Sequence, residues 1–193
     1  VVWWPHGVPV DPAQTPLGGI AHRRITDAAT ADDPKRALLA LGEAYADGDT
    51  DLSWTRLTDW RIQLAAVLDE AGTDPVTAVT VAGASDSAST FLLAAWLKYA
   101  LKVPVKIVEG EPGTGIGSVV FERDGGNVEL FRPDQLTAYL TQPGQPEQQI
   151  PLPRRNLRDC LAEELRRLDP DEVYGEVLTQ GLAACLSQEG VPA

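Results

Sequence analysis

One stretch of the chain, residues 76–108, restricts the fold most narrowly, because it is typical of a strand, a helix and a second strand in succession. Residues 76–82 are rich in Val and Thr and lie between Pro75 and Gly83, as expected of a buried strand. An apolar helix follows, and residues 103–108 supply the second strand. Two strands joined by a helical crossover pair in parallel, so the pattern predicts a βαβ unit.

The next segment is typical of an antiparallel meander. Val119 and Phe121 alternate with Val120 and Glu122. After Asp124-Gly-Gly126, a strong signal for a hairpin turn, Val128 and Leu130 alternate with Glu129 and Phe131. Further alternating residues reach position 152. Two helices are predicted to close the chain and to pack against each other, with Leu168 on the apolar face of the first and Asp169 as the cap of the second. The predicted fold class is therefore mixed α/β, with one sheet that combines the βαβ unit and the meander and is packed by several helices.

The first 52 residues differ in composition from the rest. They are rich in Pro and Gly, which predicts an extended path with a short strand at its start, a brief strand over residues 24–27 and short helices. Residues 53–193 are expected to form the mixed α/β core with its C-terminal helical pair, and both parts to make one compact unit. The sequence contains no Met and opens on Val-Val-Trp-Trp, which resembles the middle of a buried strand, so we expect a fragment of a longer protein.

Charge and composition exclude several classes of function. The net charge of −12 repels phosphate backbones and argues against nucleic acid as a partner. The sequence has no run of about 18 apolar residues and no basic-then-apolar leader, which argues against a membrane span and for a cytoplasmic location. Cys160 and Cys185 form no CxxC motif, so buried free thiols are expected, with a redox-regulated pair as the alternative.

The segment DLSWTRLTDWR, residues 51–61, begins a helix that is predicted to run to about Glu70, with Asp51 or Ser53 as its cap and Gly72 as its stop. The segment places two Trp and two Arg at near-helical spacing and contains no recognisable catalytic grouping. Trp and Arg are enriched where protein surfaces meet, because each offers a large contact area and a polar group. A Trp on the apolar face of an amphipathic helix is, however, more often part of the core. From the sequence, both interpretations of these residues stay open.

The same segment resembles the signature of the glucose-6-phosphate dehydrogenase assembly proteins, the OpcA family. Further segments match that family in the same order along nearly the whole chain: VVWWP at 1–5, RITD at 24–27, LLAAWL at 92–97 and LAEELRRLDPDEVYG at 161–175. The resemblance covers the C-terminal portion of such proteins, which carry a further N-terminal portion ahead of the VVWWP segment.

The resemblance implies an accessory protein without catalytic residues or cofactor, whose partner is glucose-6-phosphate dehydrogenase. Such a protein would promote the active oligomeric or conformational state of the dehydrogenase. The exposed members of one set of residues would be the partner-binding anchors: Trp3, Trp4, Arg23, Arg24, Trp54, Arg56, Trp60 and Arg61.

The alternative function is a small-molecule domain that binds an anion or a sugar phosphate, or an enzyme, at the loop between the first strand and the helix of the βαβ unit. The residues of this alternative site are Gly83, Ser85, Asp86 and Ser87. A helix start binds anions through free backbone amides, but Ser85 or Asp86 is the more natural helix cap. The glycine-rich residues 111–117 precede a strand and therefore predict a flexible connection, not a dinucleotide fingerprint. The scattered His and Cys residues predict no metal site.

Overall fold

The predicted βαβ unit is confirmed by the computed structural model, which describes the chain in three stretches: residues 1–70, 74–167 and 169–186. The unit consists of β4 (Ala78–Ala84), α4 (Ala88–Leu101) and β5 (Val105–Gly110), and its two strands pair in parallel. Helix α4 is apolar on nearly all sides, which is typical of a helix enclosed by other elements.

The meander extends the same sheet. Strand β6 (Ile116–Glu122) pairs antiparallel with β4, and it is followed by β7 (Val128–Phe131), β8 (Thr137–Thr141) and β9 (Gln148–Pro151). The six strands lie in the order β5-β4-β6-β7-β8-β9. The mixed α/β fold class is therefore confirmed, with β5 and β9 as the two edges of this sheet.

A second, smaller sheet forms from the N-terminal part of the chain. Strands β1 (Val2–Trp3), β2 (Arg24–Thr26) and β3 (Asp49–Asp51) are all parallel, with β2 in the centre. Helix α1 (Pro34–Glu43) lies in the connection between β2 and β3. The sequence predicts the first two strands only as isolated segments, within a fold that has one sheet. The pairing of these strands could not be predicted, because long connections separate them in the sequence and no local pattern indicates which strands pair.

The predicted helix after residue 51 is divided into two. Helix α2 (Leu52–Thr55) and helix α3 (Thr58–Leu68) are separated by Arg56 and Leu57, and Asp51 caps the first of them. Gly72, predicted as the end of this helix, lies outside the described residues.

The C-terminal helices pack on different elements. Helix α5 (Leu157–Arg166) packs against α2. Helix α6 (Glu172–Glu176) continues through a π-helical turn (Val177–Gly181) into α7 (Leu182–Leu186), and this continuous helix packs against α4. The predicted pair is therefore not a packed pair of neighbours. Leu168, expected on the apolar face of the first of these helices, lies outside the described residues.

The predicted N-terminal cap of this last helix is also wrong. Its cap is Asp171, which accepts a hydrogen bond from the amide of Tyr174 at 3.0 Å, whereas the sequence favours Asp169. None of the helices in the described stretches is long and apolar enough to cross a membrane.

Two separate apolar clusters form the core. The large cluster fills the space between the six-stranded sheet and its helices and includes Cys185. The small cluster, Ile25, Leu52 and Cys160, joins the small sheet to α5, with Trp3 packed against it. Both cysteines are buried, as predicted, and no disulfide joins them.

Candidate functional site

The segment 51–61 folds around its first residue, Asp51, which is completely buried. Its Oδ1 accepts a hydrogen bond from the amide of Ser53 (2.8 Å), and its Oδ2 accepts from the amide of Ala28 (2.8 Å) and the hydroxyl of Thr26 (2.7 Å). Burial, and after it the nearby Asp27, raises the pKa of the Asp51 carboxyl above its usual value. Asp51 therefore begins α2 and ties it to β2.

Both tryptophans of this segment lie in the large apolar cluster. The side chain of Trp54 has no exposed area; its indole Nε1 donates to Asp171 at 2.9 Å, and the guanidinium of Arg61 lies 3.8 Å from its ring centroid. Trp60 is 3% exposed, and the guanidinium of Arg132 lies 5.2 Å from its ring centroid. These contacts are those of core aromatic residues.

Three arginines before and within the segment, Arg23, Arg24 and Arg56, are held by carboxylates. Arg23 Nη2 donates to Oε2 of the buried Glu164 at 2.7 Å, and Arg24 is ion-paired with Asp49. Arg56 makes two hydrogen bonds of 2.7 Å to the carboxylate of Asp27. Ion pairs with such small exposure are sensitive to the loss of either partner, because the remaining charge stays buried.

Half of the predicted partner-binding set is therefore buried in this fold. The exposed fractions of Trp54, Trp60, Arg23 and Arg24 are 0%, 3%, 5% and 7%, so these four residues are not among the exposed members of the set. Their physical role is to join the small sheet, α2 and the C-terminal helices. The other four members are partly exposed: Trp3, Trp4, Arg56 and Arg61.

A cleft of about 240 Å³ lies at the carboxyl ends of β4 and β5, beside the first turn of α4. This is the position at which open α/β sheets bind ligands. Four arginines from distant parts of the sequence line the cleft: Arg56, Arg132, Arg154 and Arg155. The cleft is referred to below as the arginine pocket.

The loop predicted as the alternative site contributes only in part to this pocket. Asp86 and Ser87 line it, whereas Gly83 and Ser85 do not. The cap of α4 is Ser87, whose hydroxyl accepts from the amide of Thr90 at 3.3 Å, so the prediction of Ser85 or Asp86 as the cap is wrong. The carboxylate of Asp86 instead accepts from the amide of Gly113 at 2.9 Å and holds the glycine-rich loop.

Gly83 allows close packing between β4 and α4. A Cβ built on Gly83 would lie 2.4 Å from the hydroxyl of Thr90, too close for any side chain. The glycine therefore lets β4 approach the first turn of α4, as helix–strand packing requires.

Arg132 is the pocket residue that sequence reasoning missed. It is 7% exposed, its Nη1 and Nη2 donate to the carbonyls of Leu152 (3.3 Å) and Ile116 (2.9 Å), and its Nε has no hydrogen-bond partner among the described residues. Burial, followed by the charge of Arg154, lowers the pKa of Arg132. A signal was present, because position 132 continues the inward-facing alternation of Val128 and Leu130.

Two family models match the chain. The first describes the C-terminal domain of the glucose-6-phosphate dehydrogenase subunit and matches residues 47–178, which is more than half of the sequence. The chain belongs to this family. The second describes the N-terminal domain of the same protein and matches residues 1–43, so the resemblance to the OpcA family is confirmed. No curated protein sequence matches the chain significantly.

Solved structures with a fold similar to that of this OpcA-family chain include a reductase. KijD10, a 3-ketoreductase from Actinomadura kijaniata, is similar in its complex with NADP at a TM-score of 0.52 and 12% identity, over 86% of this chain and 69% of that chain. Its complex with NADP and TDP-benzene gives a TM-score of 0.50 and 11% identity, over 86% and 70% of the two chains. At such low identity the similarity concerns the fold alone.

The described part of the chain contains no group of three or more His, Cys, Asp or Glu residues placed to hold a metal ion. His6 and His22 are both exposed, on loops of the N-terminal part.

Proposed function

We propose that this chain is a non-catalytic accessory protein that binds glucose-6-phosphate dehydrogenase and favours the active oligomeric or conformational state of that enzyme. The observation that carries the proposal is the match of both domain models of one family, over residues 1–43 and 47–178. The proposed setting is the oxidative pentose phosphate pathway in the bacterial cytoplasm.

Such an accessory protein acts by differential binding. A protein that binds the active state of an enzyme more tightly than other states shifts the population toward that state, without taking part in the reaction. A preference of about 1.4 kcal/mol gives a tenfold shift. The measured activity of the dehydrogenase is therefore expected to follow the fraction of enzyme that is in the complex.

The proposed contact surface is the N-terminal segment, residues 1–20. Its support is the exposure of its apolar side chains: Ile20 is 81% exposed, and Val1, Val10 and Leu17 are also among the exposed large apolar residues. Trp3 and Trp4, from the set of predicted anchors, lie in the same segment and are half-buried. A contiguous exposed apolar patch is typical of an interaction surface, and these side chains are proposed to contribute to one.

Co-elution with the cognate dehydrogenase tests the proposal. Size-exclusion chromatography with light scattering is expected to show a complex of the chain and the enzyme. The Ile20→Glu variant is expected to weaken that complex at least tenfold, because it places a charge in the proposed apolar contact. Dehydrogenase activity, titrated with the chain, is expected to rise in parallel with complex formation.

Leu136→Glu is the matched control. Leu136 is 67% exposed and lies between β7 and β8, outside the N-terminal segment. The control is expected to bind as the unmodified chain does. Equal weakening by both variants would place the contact elsewhere, and the absence of any complex with the unmodified chain would contradict the proposed function.

A further inference from the structure

Two of the four arginines that line the arginine pocket have no ion-pair partner in the part of the chain that the structure describes. Arg56 is paired with Asp27, and Arg155 donates to Glu163 at 2.6 Å and lies 3.8 Å from Asp59. Arg132 and Arg154 have no carboxylate within ion-pair distance among the described residues. The chain as a whole carries a net charge of −12, so two neighbouring arginines without carboxylate partners in the described stretches are unusual in this sequence, where acidic residues outnumber basic ones.

The two unneutralised guanidinium groups converge on one point. A Cβ built on Gly115 would lie 3.7 Å from Nη2 of Arg132 and 3.9 Å from Cζ of Arg154. Arg154 is held there by a 2.9 Å hydrogen bond from its Nη1 to the carbonyl of Gly113. Gly115 has a φ of +73°, a backbone conformation that glycine adopts at little cost, and this brings the loop against both arginines.

The burial of Arg132 without a carboxylate partner anywhere in the described part of the chain is the observation that points to a ligand. The two carbonyls that accept from Arg132 replace part of its hydration but do not neutralise its charge, and a second positive charge beside it adds to the cost of burial. Its Nε has no hydrogen-bond partner among the described residues, and the guanidinium lines the pocket. An anion bound between Arg132 and Arg154 would neutralise both charges.

The first turn of α4 also lines the pocket and adds backbone donors. Ala88 and Ser89 line the pocket at the beginning of this 14-residue helix, where backbone amides and the helix dipole favour negative charge. Ser87 caps the amide of Thr90, and the carboxylate of Asp86 is occupied by Gly113. The helix start and the arginine pair therefore line the same cleft.

We propose that the arginine pocket binds a small phosphate-bearing molecule, with the phosphoryl group between Arg132 and Arg154 at the start of α4. A phosphoryl dianion offers three acceptor oxygens, and guanidinium groups match it with paired donors. The pocket volume of about 240 Å³ is below the range of roughly 300–1,000 Å³ typical of sites for drug-sized ligands, which favours inorganic phosphate or a small phosphate ester over a dinucleotide.

Calorimetric titration of the full chain with inorganic phosphate and with a small sugar phosphate, at constant ionic strength, tests this proposal. Saturable binding at one site per chain is expected. Arg132→Met and Arg154→Gln are each expected to weaken binding at least tenfold. Arg158→Gln removes the same charge from an exposed position on α5 and is expected to bind as the unmodified chain does.

Amide resonances identify the site in the same samples. Phosphate is expected to shift the signals of Ser87, Gly113 and Gly115 in the unmodified chain and not in R154Q. The order of affinity for the two probes shows whether the pocket recognises a phosphate ester or free phosphate. Tighter binding of the sugar phosphate means that the organic part also occupies the pocket. Tighter binding of inorganic phosphate means that the phosphoryl group alone is recognised.

Three results would overturn the proposal: no saturable binding by the unmodified chain, undiminished binding by R154Q, or equal weakening by R158Q. Circular dichroism of each variant separates loss of binding from loss of folding. If R132M does not fold, R154Q decides, because Arg154 is exposed and its substitution leaves the core intact. The titration requires no dehydrogenase, so its failure is distinct from failure of the proposed accessory function.

Discussion

The indole Nε1 of Trp54 donates a 2.9 Å hydrogen bond to Oδ2 of Asp171, a residue 117 positions further along the chain. The same carboxylate oxygen accepts from Nη1 of Arg167 at 2.8 Å, and the other oxygen caps α6. The guanidinium of Arg61 lies over the Trp54 ring. The distinctive tryptophan of segment 51–61 therefore joins α2 to the start of the last helix.

Replacement of Trp54 is expected to reduce the stability of the isolated chain. Trp54→Ala should lower the free energy of unfolding by about 3–5 kcal/mol, because a fully buried aromatic side chain is removed. Trp54→Phe keeps most of the packing and loses the hydrogen bond to Asp171, and should cost about 1.5–3 kcal/mol. Urea unfolding followed by circular dichroism measures both, and an unchanged midpoint for W54A would contradict the core position.

Asp171 is expected to make stability depend on acid pH. Burial by itself would raise the pKa of its carboxyl, but the hydrogen bonds from Trp54 and Tyr174 and the charges of Arg61 and Arg167 hold that pKa below its usual value. The stabilisation is therefore complete above the unfolded pKa near 4 and is lost as the pH falls through the lower folded pKa.

Urea unfolding of Asp171→Asn from pH 7 to pH 2 tests this dependence. The difference in unfolding free energy between the unmodified chain and D171N should be constant above about pH 5 and shrink below about pH 4. Asp32→Asn, at a position outside the ion-pair network of Asp171, is the control and should follow the unmodified chain. A difference that stays constant down to pH 2 would exclude the proposed coupling.

The buried ion pair of Arg23 and Glu164 is expected to be strongly coupled. Their side chains are 6% and 1% exposed, and Glu164 also accepts from the hydroxyl of Thr55 at 2.7 Å. Arg23→Met or Glu164→Gln should each cost about 3–5 kcal/mol, because the remaining partner is left buried and unpaired. The double variant should cost clearly less than the sum of the two, as a double-mutant cycle measures. Additive costs would show that the pair contributes no direct interaction.

Gly48 is expected to tolerate no side chain. Its φ is +94°, and a Cβ there would lie 2.2 Å from the carbonyl oxygen of His22, which belongs to the segment before β2. Gly7 has a φ of +74° with no atom near its Cβ position, so Gly7→Ala isolates the backbone cost of about 1–2 kcal/mol. Gly48→Ala should lower the unfolding free energy further, by about 1–3 kcal/mol, because of the steric clash. Equal losses of stability for Gly7→Ala and Gly48→Ala in thermal unfolding would contradict the close approach of Gly48 to the carbonyl of His22.

Local patterns were sufficient to predict the elements of the large sheet. The β4-α4-β5 unit and the hairpin at Asp124-Gly-Gly126 are encoded by runs of neighbouring residues, since the alternation of side chains and the chemistry of turns act over a few positions. Family membership was likewise readable from ordered motifs, of which segment 51–61 is the most distinctive.

The roles of those motif residues were decided by tertiary contacts. Nothing local to Trp54 indicates Asp171, and nothing local to Arg23 indicates Glu164, because each pair is more than 100 residues apart in sequence. The arginine pocket has the same origin, since Arg132 and Arg154 meet beside α4 only after the sheet has formed. The alternation of side chains and the residue preferences of turns depend on residues that are close in sequence. Burial and charge pairing depend on which distant residues the completed fold places side by side.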